Sequence, residues 1–230
     1  QQQSLLALQP EELGQFDYIS CYGVLHHLAD PTEGLRKLES LLSEGGAMGL
    51  LLYGTYGRLA LYQVQELVNR LGIHELDIDQ RIEHTRKLME SLPETSWYKR
   101  SAYNKDHILQ SDEVFFDSYL HSQDRSYTVP EVYDFVGSAD LQLVEFSVAS
   151  KRQWYRPETF IHDSSLRRML LDAKPERQAI AEVIGGQIGR HEFYISRQDN
   201  VVASIDDLEN VPFCFPSPPP VLRGSFQATP

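Results

Sequence analysis

Two adjacent histidines, His26 and His27, close the phrase "FDYISCYGVLHHLADP", where an apolar run meets Gly23 and then Asp30-Pro31. Imidazole titrates near neutral pH and ligates metals, so such groups could move a proton, line a pocket or hold an ion. An ion would need further ligands at fitting distance, and neighbouring residues rarely reach one ion together, so no metal centre is expected of this pair. A second chemical cluster is "YGTYGR", in which Tyr53, Tyr56 or Arg58 could meet an acceptor group. A third is "DSYLHSQDRSYT", residues 117 to 128, which gathers Asp117, His121, Asp124, Arg125 and Tyr127 in what reads as a connecting segment. There His121 is the natural general base, while Asp124 and Arg125 equally serve to tie down the loop.

These groups act together only if regular elements bring them together. Residues 16 to 22 mix aromatic and β-branched types with apolar residues on both sides, as expected of a strand covered on both faces. After a turn at Gly23, Asp30 fits an N-cap, Pro31 the first helical position, and Glu33 the position three past the cap. Leu35, Leu38, Leu41 and Leu42 give that helix an apolar face, and Gly45-Gly46 is expected to end it. Residues 47 to 53 read as a second buried strand. Strand, helix and strand with short joints make a βαβ unit, which implies a parallel sheet with helices on its faces.

Downstream, "LALYQVQELVNRL" reads as a helix stopping at Gly72, and the segment from Asp77 to Leu92 as another, with Ile78, Ile82, Met89 and Leu92 near one face. Around "LPETSWYKRSAYNKDH" the pattern becomes irregular. Thr128 and Glu131 then form a capping box ahead of an inward stripe of Val132, Phe135 and Val136. A strand in "LQLVEFSV", short helices near "SSLRRMLLD" and "PERQAIAEVIGG", and a last strand in "HEFYISR" follow. The tail "ENVPFCFPSPPPVLRG" is too rich in proline for either regular element and reads as a linker or extended arm. Four segments result: a partial α/β core at 1–75, a helical and irregular insertion at 76–128, closing strands and helices at 129–200, and the tail at 201–230.

Composition excludes several function classes. A chain of 230 residues with 41% hydrophobic and 23% charged residues is ordinary for a folded protein. Its longest apolar run, around "GAMGLLLYG", is about half the length that crosses a bilayer. The start lacks the features of a secretory signal, and Cys21 and Cys214 are too few for a disulfide framework, so a cytoplasmic location is expected. The absence of an initiator methionine points to processing or to a piece of a longer protein. A formal charge of −12 argues against bulk nucleic-acid binding, and the basic residues of "LRRML" and "KPERQ" read as a solvated helical face.

The stretch "FDYISCYGVLHHLADPTEGLRKLESLLSEGGAMGLLLYG" resembles the fourth strand, following helix and fifth strand of class I S-adenosylmethionine-dependent methyltransferases. The later order of helix, strand, two helices and strand is similar to the end of that fold. The resemblance covers about residues 1 to 197. It implies a Rossmann-like α/β sheet, mostly parallel, with a C-terminal antiparallel strand pair and a helical insertion. It further implies S-adenosyl-L-methionine as cofactor, held by Ser4, Leu5, Cys21, Tyr22, Gly23 and His27, with His121, Arg58 and Tyr53 on the acceptor side. The acceptor is a small molecule or a protein. The family's glycine-rich turn has no counterpart before Phe16, and "GGQIG" at 185 to 189 follows a helix instead of a strand. The isolated chain is therefore expected to bind cofactor weakly, with the missing N-terminal part or another subunit as partner. An alternative is a non-catalytic half-domain that completes or regulates another methyltransferase subunit; a dinucleotide-dependent oxidoreductase shares the sheet type but gains nothing from the His-His phrase.

Overall fold

The computed structural model describes residues 3–101, 111–146 and 152–198. The proline-rich tail with Cys214, the end of "LQLVEFSV" and part of the irregular stretch lie outside the described residues. A 3-10 turn at Leu5–Ala7 and helix α1 (Pro10–Leu13) lead into strand β1 (Phe16–Tyr22). Gly23, at φ +74°, turns the chain into a 3-10 turn at Leu25–His27. Helix α2 (Pro31–Ser40) starts as the sequence suggests, with Asp30 Oδ1 accepting from the backbone N–H of Thr32 at 2.9 Å and of Glu33 at 3.1 Å.

Strand β2 (Leu42–Gly54) begins earlier than expected. Gly45 and Gly46 belong to it and do not end the helix, because Leu42 already pairs with Phe16. The next partner of β1 is Tyr18 opposite Ala47, so the residues between Leu42 and Ala47 bulge out of the ladder. Such a bulge suits an open glycine such as Gly45, which a Cβ would leave without contact. Leu41 and Leu42 are buried at the sheet end, not on the helix face.

Helix α3 (Leu59–Arg70) stops ahead of Gly72, whose φ of +70° is left-handed. Helix α4 (Ile78–Ser91) is capped by Asp77, and α5 (Trp97–Arg100) by Ser96. Helix α6 (Asp112–Tyr119) was not expected: it takes in Asp117, which the sequence reading leaves in a connecting segment. Its local sequence carries Ser111 as N-cap and acids in the first turn, but its apolar residues are too few to show a clear period. Strand β3 (Ser126–Tyr127) precedes α7 (Val129–Gly137), whose capping box of Thr128 and Glu131 is complete. Strand β4 (Gln142–Phe146), helices α8 (Ser164–Arg167) and α9 (Lys174–Gly185), and strand β5 (Arg190–Ser196) finish the order.

The sheet order is β1-β2-β5-β4. β1 and β2 are parallel, while β5 runs antiparallel to both β2 and β4. β3 pairs in parallel with Tyr53 and Gly54 of β2, beyond the point where β1 ends. The fold is thus a mixed α/β sheet with the expected antiparallel pair at its C-terminal side.

Helices α2 and α7 pack on one face of the sheet with Leu35, Leu38, Val132, Phe135 and Val136 against Leu50, Leu52, Phe193 and Ile195. The expectation that β1 is covered on both faces is not met. Cys21 is buried in the core and Ile19 packs against it, whereas Tyr18 and Tyr22 on the opposite face are 52% and 43% exposed. No described helix covers that second face of β1. A separate apolar core joins Leu61, Val64 and Val68 of α3 to Ile82, Met89, Phe115 and Tyr119, so α4 and α6 pack on α3.

A buried polar network ties these layers together. His191 Nε2 donates to the Tyr127 carbonyl at 2.9 Å, and its Nδ1 accepts from the Tyr155 hydroxyl at 3.0 Å. Glu182, fully buried, accepts from the Val129 N–H at 2.7 Å and lies 3.4 Å from the same imidazole. His191 thus ties β5 to β3 and to Tyr155, and Glu182 beside it holds the start of α7.

Candidate functional site

Parallel pairing sends the carboxyl ends of β1 and β2 to the same rim, where open α/β sheets bind ligands. Tyr22 stands opposite Leu51, and Tyr53 lies two residues further along β2, on the same sheet face as Leu51. Tyr22 and Tyr53 therefore emerge together, as the sequence reading required. Gly23 follows Tyr22 in a left-handed conformation with open space where a Cβ would stand, so the chain turns away without blocking the rim.

The end of β2 is packed too closely for side chains. A Cβ on Gly54 would come within 2.3 Å of the Ile188 carbonyl oxygen, and one on Gly57 within 2.3 Å of the Gly189 nitrogen. The glycines of "GGQIG" accordingly belong to a structural contact: Gly189 accepts from the Gly54 N–H at 3.0 Å. The approach turns β2 sharply into the 3-10 turn Tyr56–Arg58.

Arg58 is buried beneath the rim. Its guanidinium lies 3.5 Å from the centre of the Tyr53 ring and pairs with Asp124 at 3.4 Å. Asp124 also accepts from Tyr62 at 3.4 Å and from Gln65 at 2.9 Å. Tyr62 and Gln65, three residues apart on α3, are site-building residues that the sequence reading passes over; their signal is a polar interruption of an otherwise apolar helix face. Arg58, expected on the acceptor side, is instead held by Asp124 under Tyr53. Arg125 lies over Tyr127 at 4.7 Å, so Asp124 and Arg125 do tie down the loop.

The two histidines have different fates. His26 is 1% exposed, and its ring lies 3.8 Å from that of Tyr53. With Arg58 also over the Tyr53 ring, the two groups take one face each. Burial pushes the His26 pKa down to about 3, the charges of His27 and Arg58 add to this, and a backbone contact with Leu51 opposes it. His26 is thus a neutral stacking partner. His27 is half-buried at the mouth, with Nδ1 bonded to the Gln123 carbonyl at 2.8 Å. A carbonyl only accepts, so His27 carries its proton on Nδ1 and leaves Nε2 free.

That bond, with the Arg125 N–H donating to the His26 carbonyl at 3.2 Å, clamps the 121–125 segment onto the turn after β1. His121 is thereby brought against His27, ring centres 4.0 Å apart. Asp117 reaches the same place from α6, 3.5 Å from the Tyr53 hydroxyl. His27, Asp117 and His121 each present a ligand atom within 4.8 Å of the others. Burial pushes the Tyr53 and Tyr22 hydroxyls up to about 12, with Asp117 adding at Tyr53 against Arg58, and Tyr18, Tyr194 and Glu192 adding at Tyr22. Both remain neutral hydrogen-bond donors at physiological pH.

The remaining expected cofactor residues divide. Cys21 points into the core at 6% exposure, and burial pushes its thiol up to about 11, so its side chain does not face the rim. This follows from strand alternation: with Tyr22 on the open face, Cys21 must turn inward. Leu5 packs towards Gly34 of α2 and against the sheet core, while Ser4 beside it is exposed. Of the basic residues in "LRRML" and "KPERQ", Arg167 donates to the Ile161 carbonyl at 2.6 Å and Arg177 to that of Leu171 at 3.1 Å. Among the described residues no helix is long and apolar enough to cross a membrane.

Comparison with known proteins agrees with this geometry. Residues 1–48 match the family model described as a methyltransferase domain. An uncharacterized protein from Synechococcus sp. is 30% identical over 187 residues, 80% of this chain and 44% of that protein. Two solved structures of PKMT2 from Rickettsia typhi are similar in fold. One has a TM-score of 0.59 at 16% identity, over 87% of this chain and 38% of the other. The second, in complex with AdoHcy, has a TM-score of 0.63 at 14% identity, over 86% and 39%. The chain thus spans less than half the length of these relatives. Residues 1–48 thus match a methyltransferase domain, and the fold of the chain is similar to that of PKMT2.

Proposed function

We propose that this chain forms the donor rim and the acceptor wall of an S-adenosylmethionine-dependent methyltransferase, as part of a longer enzyme. One observation carries the reading: Tyr22 and Tyr53 emerge at a single rim of the parallel β1–β2 pair, with the left-handed Gly23 opening it. Tyr22, Gly23 and His27 line the donor side, with Ser4 and Leu5 at its flank. Cys21 contributes backbone only.

The sulfonium donor already carries an activated methyl group, so alignment and exclusion of water supply the rate. With S-adenosylmethionine bound, the acceptor lone pair would take the methyl carbon as the sulfur–methyl bond breaks with its electrons left on sulfur, and the acceptor would shed a proton. Tyr53 donates a hydrogen bond to the acceptor and Arg58 positions Tyr53 from beneath. His121 takes the proton. The acceptor enters a cavity of about 410 Å³ lined by Ile78, Ile82 and Phe116 together with Asp112, Asp117 and His121. Such a lining suits a nucleophile on a small molecule or an extended protein side chain with an apolar stem.

A second reading, a non-catalytic half-domain that completes another subunit, is favoured by the open sheet face, where Tyr18, Tyr22 and Tyr194 are 52%, 43% and 37% exposed. Titration of the chain with S-adenosylhomocysteine, followed by NMR, separates the two. Weak binding that shifts the Gly23 and His27 signals, and is lost in Gly23→Val, supports the enzyme. No shift at the rim at saturating ligand, with self-association by light scattering, supports the half-domain.

A further inference from the structure

We propose that His27, Asp117 and His121 form a binding site for a divalent transition metal of the zinc class. The site rests on the methyltransferase reading only for what the ion does, not for whether it binds. Two imidazoles and one carboxylate come from three separate pieces of chain: the turn after β1, the last turn of α6 and the loop behind it. Their ligand atoms lie within 4.8 Å of one another. Two nitrogens and one oxygen match the three-ligand catalytic sites that leave a position open, and disfavour magnesium and calcium, which take oxygen.

The second layer supports ligation. His27 donates its Nδ1–H to the Gln123 carbonyl at 2.8 Å, the type of bond that sets the tautomer of metal-bound histidines and leaves Nε2 as ligand. The same residue, Gln123, holds His121, its N–H donating to Nδ1 at 3.1 Å. Metal binding at His121 therefore moves the ring proton to Nδ1 or displaces that N–H; either way one exposed hydrogen bond is exchanged for a metal–nitrogen bond. Metal–ligand bonds of about 2.0–2.1 Å bring ligand atoms to roughly 3.4 Å from each other, so the three groups, now within 4.8 Å, close by at most about 1.4 Å. Asp117 and His121 sit at a helix end and on an exposed loop, where rotation of side chains supplies this. The cavity beside the site is lined by Asp79, Asp112 and Glu113 as well as Asp117, which favours cation entry.

Two of the three ligands, Asp117 and His121, also line the acceptor cavity. An ion there would bind an oxygen or nitrogen acceptor and lower its pKa, the proton passing to solvent; in the metal-free chain His121 keeps the role of base. The arrangement is invisible in the His26-His27 pair, because His26 is turned under Tyr53 and the true partner of His27 is His121.

The test is titration of the untagged, chelator-treated chain with cobalt(II), read by visible absorption, then with zinc as competitor. The expected result is one equivalent of cobalt with bands of tetrahedral or five-coordinate intensity, displaced by zinc, and at least tenfold weaker binding in His27→Ala, Asp117→Asn and His121→Ala. His84→Ala, on the exposed face of α4, should bind as the parent does. Since a variant could lose structure instead of a ligand, paramagnetic broadening by cobalt is also measured on the unaltered chain and should be strongest at the His27 and His121 rings. Absence of such bands, broadening centred elsewhere, or variants that bind as the parent does would overturn the site. S-adenosylhomocysteine titration is run on the same samples; intact rim binding in a chain that shows no cobalt bands overturns the ion and leaves the methyltransferase reading standing.

Discussion

The Arg58 guanidinium and the Asp124 carboxylate meet at 3.4 Å with side chains only 5% and 3% exposed. A buried pair of this kind is costly to break on one side, because the remaining charge is left without compensation. Asp124→Ala is expected to destabilise the fold by about 3–5 kcal/mol in urea unfolding, with the Tyr62 and Gln65 bonds also lost. The double change Arg58→Met, Asp124→Leu should cost clearly less than Asp124→Ala alone. Equal losses would show that the pair is not what holds the 121–125 segment.

His26 gives a pH signature. Its folded pKa lies at about 3, below its usual 6.5, so between those values the unfolded chain binds the extra proton. The stabilising contribution is complete above pH 6.5 and declines as pH falls towards 3. His26→Phe keeps a ring against Tyr53 and removes the titration. The slope of stability against pH over that window should therefore be shallower in the variant, measured by thermal melts in matched buffers. Direct NMR titration adds a second check: the His26 ring should show no protonation step between pH 5 and 8.

Two glycines on β2 and its following turn predict unequal costs. A Cβ on Gly49 meets the hydroxyls of Tyr18 at 2.4 Å and Tyr22 at 3.0 Å, the free ends of side chains on an open face. A Cβ on Gly57 meets backbone of Ile188 and Gly189, which cannot swing aside. Gly57→Ala is expected to cost about 3 kcal/mol and Gly49→Ala about 1 kcal/mol. Circular dichroism melts decide the order, and the reverse order would refute the close approach of the 188–189 segment.

Glu182 serves the Val129 N–H and lies beside His191, all without solvent. Glu182→Ala leaves that N–H without a partner and should destabilise by about 2–3 kcal/mol. Glu182→Gln keeps an acceptor oxygen and should recover more than half of the loss. Hydrogen exchange at Val129, fast in the alanine variant and slow in the glutamine one, would tie the effect to this bond.

Much of this molecule is written in local patterns. The cap at Asp30, the box at Thr128 and Glu131, the stop at Gly72 and the period-two alternation of the strands all act within a few residues, and each stands in the structure where its chemistry requires. Parallel pairing of β1 and β2 also follows from them, since a short helix between two strands leaves no other connection. The rim with Tyr22, Gly23 and Tyr53 was therefore readable in the chain. Other features depend on groups far apart in sequence. The start of β2 at Leu42, the packing of Arg58 beneath Tyr53 and the meeting of His27 with Asp117 and His121 each depend on which distant segment fills the space alongside. Local propensity carries no information about that neighbour; only burial in a shared core, which pairs surfaces instead of positions, selects it.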